Sequence, residues 1–329
     1  NIVVDGETVI DLTDQVAFQD NAGAMGFALN GDTVIRGQHG DKTLDKITIT
    51  SNCSKHTGSG ITHLGIASRA GKRLTVTNVS LSMTDTTTGS LSGQACFVDC
   101  GGNVEFSGCS LTASGCIYGL FMEQGAGATV KNTEFDVTLS GTDSSGVNLA
   151  AGTTNRLENC TGTISADYPL YSYGNTTVTG SGKLTLKGGM GVVVKKYAGA
   201  AEAGTVTFEN ANVEIQSNNV GLQVEQGGSV VLRGGNVSVT ASKNGAALLT
   251  GGKLELQSGE LTLTGTGAEN SAGISMTGPV QISGGKLTVS DVDIAVKNVS
   301  TYTATFSGGS HSLTASTVGY ADNAAGALT

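Results

Sequence analysis

The chain has 329 residues, 50 of them Gly, only 2 Pro and no Trp. Its formal net charge is −9 and its pI about 4.9, which disfavours nucleic acid, a partner that selects basic stripes. No apolar run reaches the length of a membrane span, so membrane insertion is not expected.

Residues 1–45 are expected to form an N-terminal cap and a first irregular coil. Val9–Leu12 and Gly26–Leu29 read as strands there. Thr33–Arg36 and Lys46–Thr50 read as the start of regular structure, with an insertion between them at Gly37–Asp45. Their register is open. A cap is needed because the end of a stack of strands exposes core and unpaired edges. The chain begins at Asn1 and not at Met, as a processed chain would.

Residues 46–329 read as one continuous elongated domain built on a repeat. One slot recurs as Val76, Phe106, Val130, Leu157, Val178, Phe208, Leu232, Leu256, Ile282 and Phe306, in steps of 21 to 30 residues. A near-constant period with variable insertions marks a solenoid. Within one unit, Val206–Glu209, Val213–Gln216 and Gly221–Glu225 each alternate apolar and polar residues, as strands with one buried face do. The third strand has two inward slots. The first runs Ile66, Cys96, Leu120, Val147, Leu170, Val192, Leu222, Ala247, Ile274, Ile294, and the second includes Val98, Val224, Leu249, Met276 and Val296.

Two residues after the recurring slot stand Asn78, Gly108, Asn132, Asn159, Gly180, Asn210, Gly234, Ser258, Gly284 and Gly308. Asn and Gly tolerate positive φ best, so a tight left-handed corner is expected at this point of each coil. Stacked Asn side chains can also hydrogen-bond between coils. This corner resembles the short turn and asparagine ladder of the pectate-lyase-like right-handed parallel β-helix superfamily. The resemblance implies an all-β, single-stranded right-handed parallel β-helix of about ten or more three-strand coils. It also implies that the Gly221–Glu225 strand lies in the sheet that carries the substrate groove in the superfamily's enzymes.

Insertions at Thr84–Ser92 and Lys196–Gly204 flank that sheet. Its outward slots carry Phe97, Phe121, Tyr171 and Tyr173, expected as one exposed aromatic stripe suited to stacking on sugar rings. The opposing reading is that the Thr84–Ser92 loop or the N-terminal segment covers the face. Arg69, Asp99 and Glu123 are expected as a charge ladder beside the stripe, with Lys195 farther along. Asp99 and Glu123 on adjacent coils would have the separation of a retaining glycosidase pair. They could also bind Ca²⁺, although a tight site needs about six to eight oxygens. No other cofactor is expected.

The lyases of the superfamily use an acidic calcium cluster with a basic proton acceptor, and its hydrolases use paired Asp residues and Gly-His-Gly. This chain has no Asp-Asp pair and no Gly-His-Gly. The ladder of outward Ser and Thr, such as Ser82/Thr84, Thr262/Thr264 and Thr288/Ser290, resembles an ice-binding face, but Asp136, Lys187 and Glu214 interrupt it. His311 occupies a core slot of the last coil and is expected to be structural. All six Cys lie between Cys53 and Cys160, and most are expected as unpaired buried thiols.

The expectation is therefore a secreted or wall-attached bacterial surface protein. It would act without chemistry as an adhesin, stalk or glycan-binding module whose partner is a polysaccharide, a host or cell-surface glycan, or a protein. The binding face would be Phe97, Phe121, Tyr171 and Tyr173 with Asp99, Glu123 and Lys195. A polysaccharide lyase or hydrolase, an end-to-end filament or fibre component, and ice binding are the alternatives.

Overall fold

A computed structural model describes residues 2–13, 17–18, 21–22, 24–52, 63–88, 95–322 and 327–328. Among these there is strand but no helix. The chain divides into two compact units, Asn1–Tyr168 and Pro169–Thr329.

In the first unit, three ladders of parallel strands recur in strict rotation. One holds Ile2–Val4, Thr33–Gly37, Leu74–Thr77, Val104–Ser107, Ala128–Lys131 and Thr154–Glu158, each hydrogen-bonded to the next. The second runs from Glu7–Thr13 through Lys46–Asn52, Ser80–Asp85, Ser110–Ser114 and Glu134–Thr138 to Thr161–Ser165. The third runs from Ala24–Leu29 through His63–Ser68, Ala95–Cys100 and Tyr118–Met122 to Ser145–Leu149. The register left open for the first 45 residues is therefore that of the coils that follow, with Ile2 opposite Ile35 and Ile10 opposite Ile49.

The second unit repeats the pattern with longer continuous strands. Thr205–Glu225 pairs along its length with Ser229–Ala241 and Asn244–Leu249, so the three short strands expected there run together through their corners. Its inward residues Val206, Phe208, Val213, Ile215, Leu222 and Val224 are at most 2% exposed. A parallel ladder needs each coil to repeat the inward set of its neighbour, and the alternation supplies it.

The corner expectation holds for seven coils and shifts in three. Asn78, Gly108, Asn132, Asn159, Gly180, Asn210 and Gly234 all have positive φ, from 48° to 102°. Asn159 Nδ2 donates to Asn132 Oδ1 at 3.4 Å, one rung of the ladder. Past Gly234 the left-handed residue moves one position on, to Gly259, Gly285 and Gly309. Each Gly after the expected slot accepts that conformation without a Cβ clash, so Ser258 is spared it.

The third-strand register differs from the expected one in three coils. Val98, not Cys96, lies opposite Ile66 and Leu120. Leu222 faces Ala246, Val224 faces Leu248, and Ile274 faces Val296. Leu249 is consequently outward and 38% exposed. In several coils of the second unit a glycine stands immediately before the first inward slot. At Gly191, Gly221 and Gly273 an added Cβ would meet a core methyl of Ile215, Val239 or Val289 at 2.1, 2.0 and 2.3 Å. In those coils only a residue without Cβ lets the strand approach that closely, whereas Phe97 and Ala295 hold the same slot elsewhere.

Cys96, Cys100, Cys109, Cys116 and Cys160 are buried and take part in no disulfide among the described residues. Cys53 and much of the Thr84–Ser92 insertion lie outside the described residues. His311 lies opposite Leu287, as expected, with its ring 5.0 Å from that of Phe306.

Candidate functional site

The expected aromatic stripe resolves into different environments. In the first unit, Phe97 takes the slot held by Gly65 and Gly119 in the adjacent coils, and it is 2% exposed. A Cβ at Gly65 would meet Met83 Sδ at 2.8 Å, so this slot faces packed core. Phe97 is therefore a packing residue and not part of an exposed stripe. Phe121 is half-buried, and its ring lies 4.8 Å from that of Tyr118.

The charge ladder is also altered. Asp99 lies opposite Phe121 and not opposite Glu123. Arg69 turns away and donates through Nε to Asn30 Oδ1 at 2.8 Å. Asp99 is half-buried, with Oδ1 out of contact with solvent and without a hydrogen-bond partner. Burial, reinforced by the negative charge of Glu123, pushes its carboxyl up to about 6. Glu123 is exposed. Among the described residues no group of three or more His, Cys, Asp or Glu is gathered to hold a metal ion.

The second unit brings three of the expected residues together. Tyr171, near the end of the Tyr168–Ser172 strand, and Tyr173, just past it, have ring centroids 4.9 Å apart and a 3.3 Å hydrogen bond from the Tyr173 hydroxyl to that of Tyr171. On the next coil Val193 lies opposite Tyr171, and the Lys195 N–H donates to the Ser172 carbonyl at 3.1 Å. That register sets the Lys195 ammonium 5.2 Å from the Tyr171 ring centre and 5.8 Å from that of Tyr173. Both distances lie within cation–π range.

A fourth member is Tyr197, whose ring meets Tyr173 edge-on at 5.2 Å and is 37% exposed. Sequence reasoning singled out its loop, Lys196–Gly204, but not the ring. The signal was its position two residues beyond Lys195, at the corner where Tyr173 ends the preceding coil. Burial, then the hydrogen bond to Tyr171, raises the Tyr173 phenol well above its ordinary value, so it stays a neutral donor. The result is a rigid platform of three rings with one cation. Such a surface can stack on the apolar face of a sugar and offer donors to its hydroxyls.

The first unit also carries an open depression lined by Arg73, Asn103, Glu105, Gly127, Thr129 and Thr154, which contains no aromatic ring. The family of carbohydrate-binding domain-containing proteins matches residues 125–319, more than half of the chain. The chain belongs to this family. The matched span contains Tyr171, Tyr173, Lys195 and Tyr197, and it excludes Phe97, Asp99, Phe121 and Glu123. No curated protein and no solved structure matched.

Proposed function

We propose that this carbohydrate-binding family member is an extracellular bacterial surface protein that retains a glycan on the platform formed by Tyr171, Tyr173, Lys195 and Tyr197, without chemistry of its own. The observation that carries the reading is the cluster itself: Tyr173 meets the rings of both Tyr171 and Tyr197, and Lys195 lies over Tyr171 and Tyr173, all inside the family-matched span. Its scaffold is read as a right-handed parallel β-helix of the pectate-lyase-like kind. Support comes from the strict rotation of three parallel ladders, the left-handed corner column, and the general right-handedness of connections between parallel strands.

The test is a polysaccharide array scored for retention and product release together, with and without Ca²⁺. Retention without products, lost in Tyr171→Ala and Tyr173→Ala, is the expected result. If both variants keep every interaction of the wild type, the platform is not the site.

One observation favours a second reading. Asp99, with its carboxyl raised to about 6 and Glu123 as its charged neighbour, has the character of a general acid. Release of new sugar ends by the wild type, abolished by Asp99→Asn, would move a glycoside hydrolase to first place.

A further inference from the structure

Six large apolar side chains are exposed among the described residues: Met25, Leu44, Tyr197, Leu249, Val299 and Tyr302. Four of them lie along one corner edge of the second unit. Glu225 pairs with Leu249, the Thr277 N–H donates to the Leu248 carbonyl, and the Val299 N–H donates to the Met276 carbonyl. Lys195, Glu225, Leu249, Thr277 and Val299 thus follow one another on successive coils, at the same corner from which Tyr197 and Tyr302 project. Leu249 and Val299 alternate with polar residues on this line, and with Tyr197 and Tyr302 at its ends the exposed apolar side chains of the unit gather at one corner instead of scattering singly.

The Tyr302 end of this line is built and not frayed. Asn298 stands fully buried in a core slot, opposite Met276. Its Oδ1 accepts from Ser300 N at 3.0 Å and Ser300 Oγ at 2.9 Å. Its Nδ2 donates to the Tyr302 carbonyl at 2.8 Å and the Tyr320 hydroxyl at 3.1 Å. A buried amide is costly unless its bonds are made, so these bonds fix the 299–302 loop in the form that presents Val299 and Tyr302. The Tyr302 hydroxyl reaches back to within 3.7 Å of where a Gly251 Cβ would sit. Gly227 and Gly251, both at positive φ, add no side chain of their own to the corner between the two ends.

From the structure we infer that the glycan site is not confined to the tyrosine platform but extends along this edge, over Leu249 and Val299 to a second aromatic subsite at Tyr302. This rests on the carbohydrate-binding reading above and adds its length and direction. Four coil steps separate Lys195 from Val299, a path of about 19 Å at the ~4.8 Å spacing of paired strands. One pyranose in a straight chain advances about as far as one coil, so successive rings meet successive coils in step. The occupant is therefore a linear oligosaccharide of several rings, laid across the strands along the stacking direction. A tightly coiled chain would leave the edge.

The test uses the full chain and oligosaccharides sized from about two to eight rings, cut from xylan, mannan, amylose and polygalacturonate. Affinity is read by calorimetry for the wild type, Tyr302→Ala, Tyr302→Phe and Tyr171→Ala. Affinity of the wild type should climb with length up to about five rings. Tyr302→Ala should lose about tenfold on the long members and nothing on the shortest, and Tyr302→Phe should retain binding, since the ring face is what matters.

If Tyr171→Ala abolishes binding while Tyr302→Ala is silent at every length, the extended site is wrong and the platform stands. If Tyr302→Ala weakens binding while Tyr171→Ala does not, the edge stands and the platform assignment fails. Wild type that binds no member of the series overturns both. A concentration-dependent dimer in sedimentation, lost in Tyr302→Ala, would overturn the inference by assigning the edge to a second copy of the chain.

Discussion

Asp99→Asn removes a charge from a place that resists it. The folded protein holds the Asp99 proton to about 6, against 3.8 for an ordinary Asp carboxyl. A shift of about two units corresponds to ~3 kcal/mol at 1.36 kcal/mol per unit. The carboxyl keeps some contact with water, and screening discounts this to about 1–2 kcal/mol. The sign follows from proton counting. Between about pH 4 and 6 the folded state binds more protons than the unfolded one, so wild-type stability falls as pH rises through that window and is level above it. Asn is isosteric and uncharged throughout. The variant should exceed the wild type by about 1–2 kcal/mol near pH 7, and the gain should vanish toward about pH 4. Urea unfolding followed by far-ultraviolet circular dichroism, compared at equal slope, measures this. A variant no more stable than the wild type near neutrality, or a difference that does not change with pH, would refute the burial argument.

Three further outcomes test the scaffold. Phe208→Ala empties a fully buried position and should cost about 3–5 kcal/mol, seen as a lower urea midpoint. Gly234→Ala places a Cβ 2.3 Å from Asn210 Oδ1 at a φ of +102°, and should lose ~1 kcal/mol or more in the same assay. The thiols of Cys100 and Cys160 are pushed up to about 12 by burial, and those of Cys96 and Cys109 are raised for the same reason. None of these four should react with Ellman's reagent until the protein is unfolded, and native-state labelling mapped to any of them would contradict the packing.

Much of this protein was legible in its sequence because its rules are local and repeated. Alternation with period two marked the inward faces, and the recurring slot from Val76 to Phe306 gave the coil length. The Asn and Gly column announced a left-handed corner, because a backbone conformation that few residues accept leaves a compositional trace. The second ladder, with Ser82 opposite Thr112 and Thr262 opposite Thr288, has the register read from those patterns.

Tertiary structure decided where the local rule was silent. In Ala95-Cys96-Phe97-Val98 and Gly245-Ala246-Ala247-Leu248-Leu249 every residue is apolar or small, so alternation cannot choose a phase. The neighbouring coils choose it, through the strands they pair with. That choice buried Phe97, exposed Leu249, and set Asp99 beside Phe121. Stacking of the neighbouring coil likewise set Tyr197 against Tyr173. Sequence determined that rings and charges would stand on one repeated sheet. Which of them meet was left to the stacking, because contact between coils depends on register that a single coil does not carry.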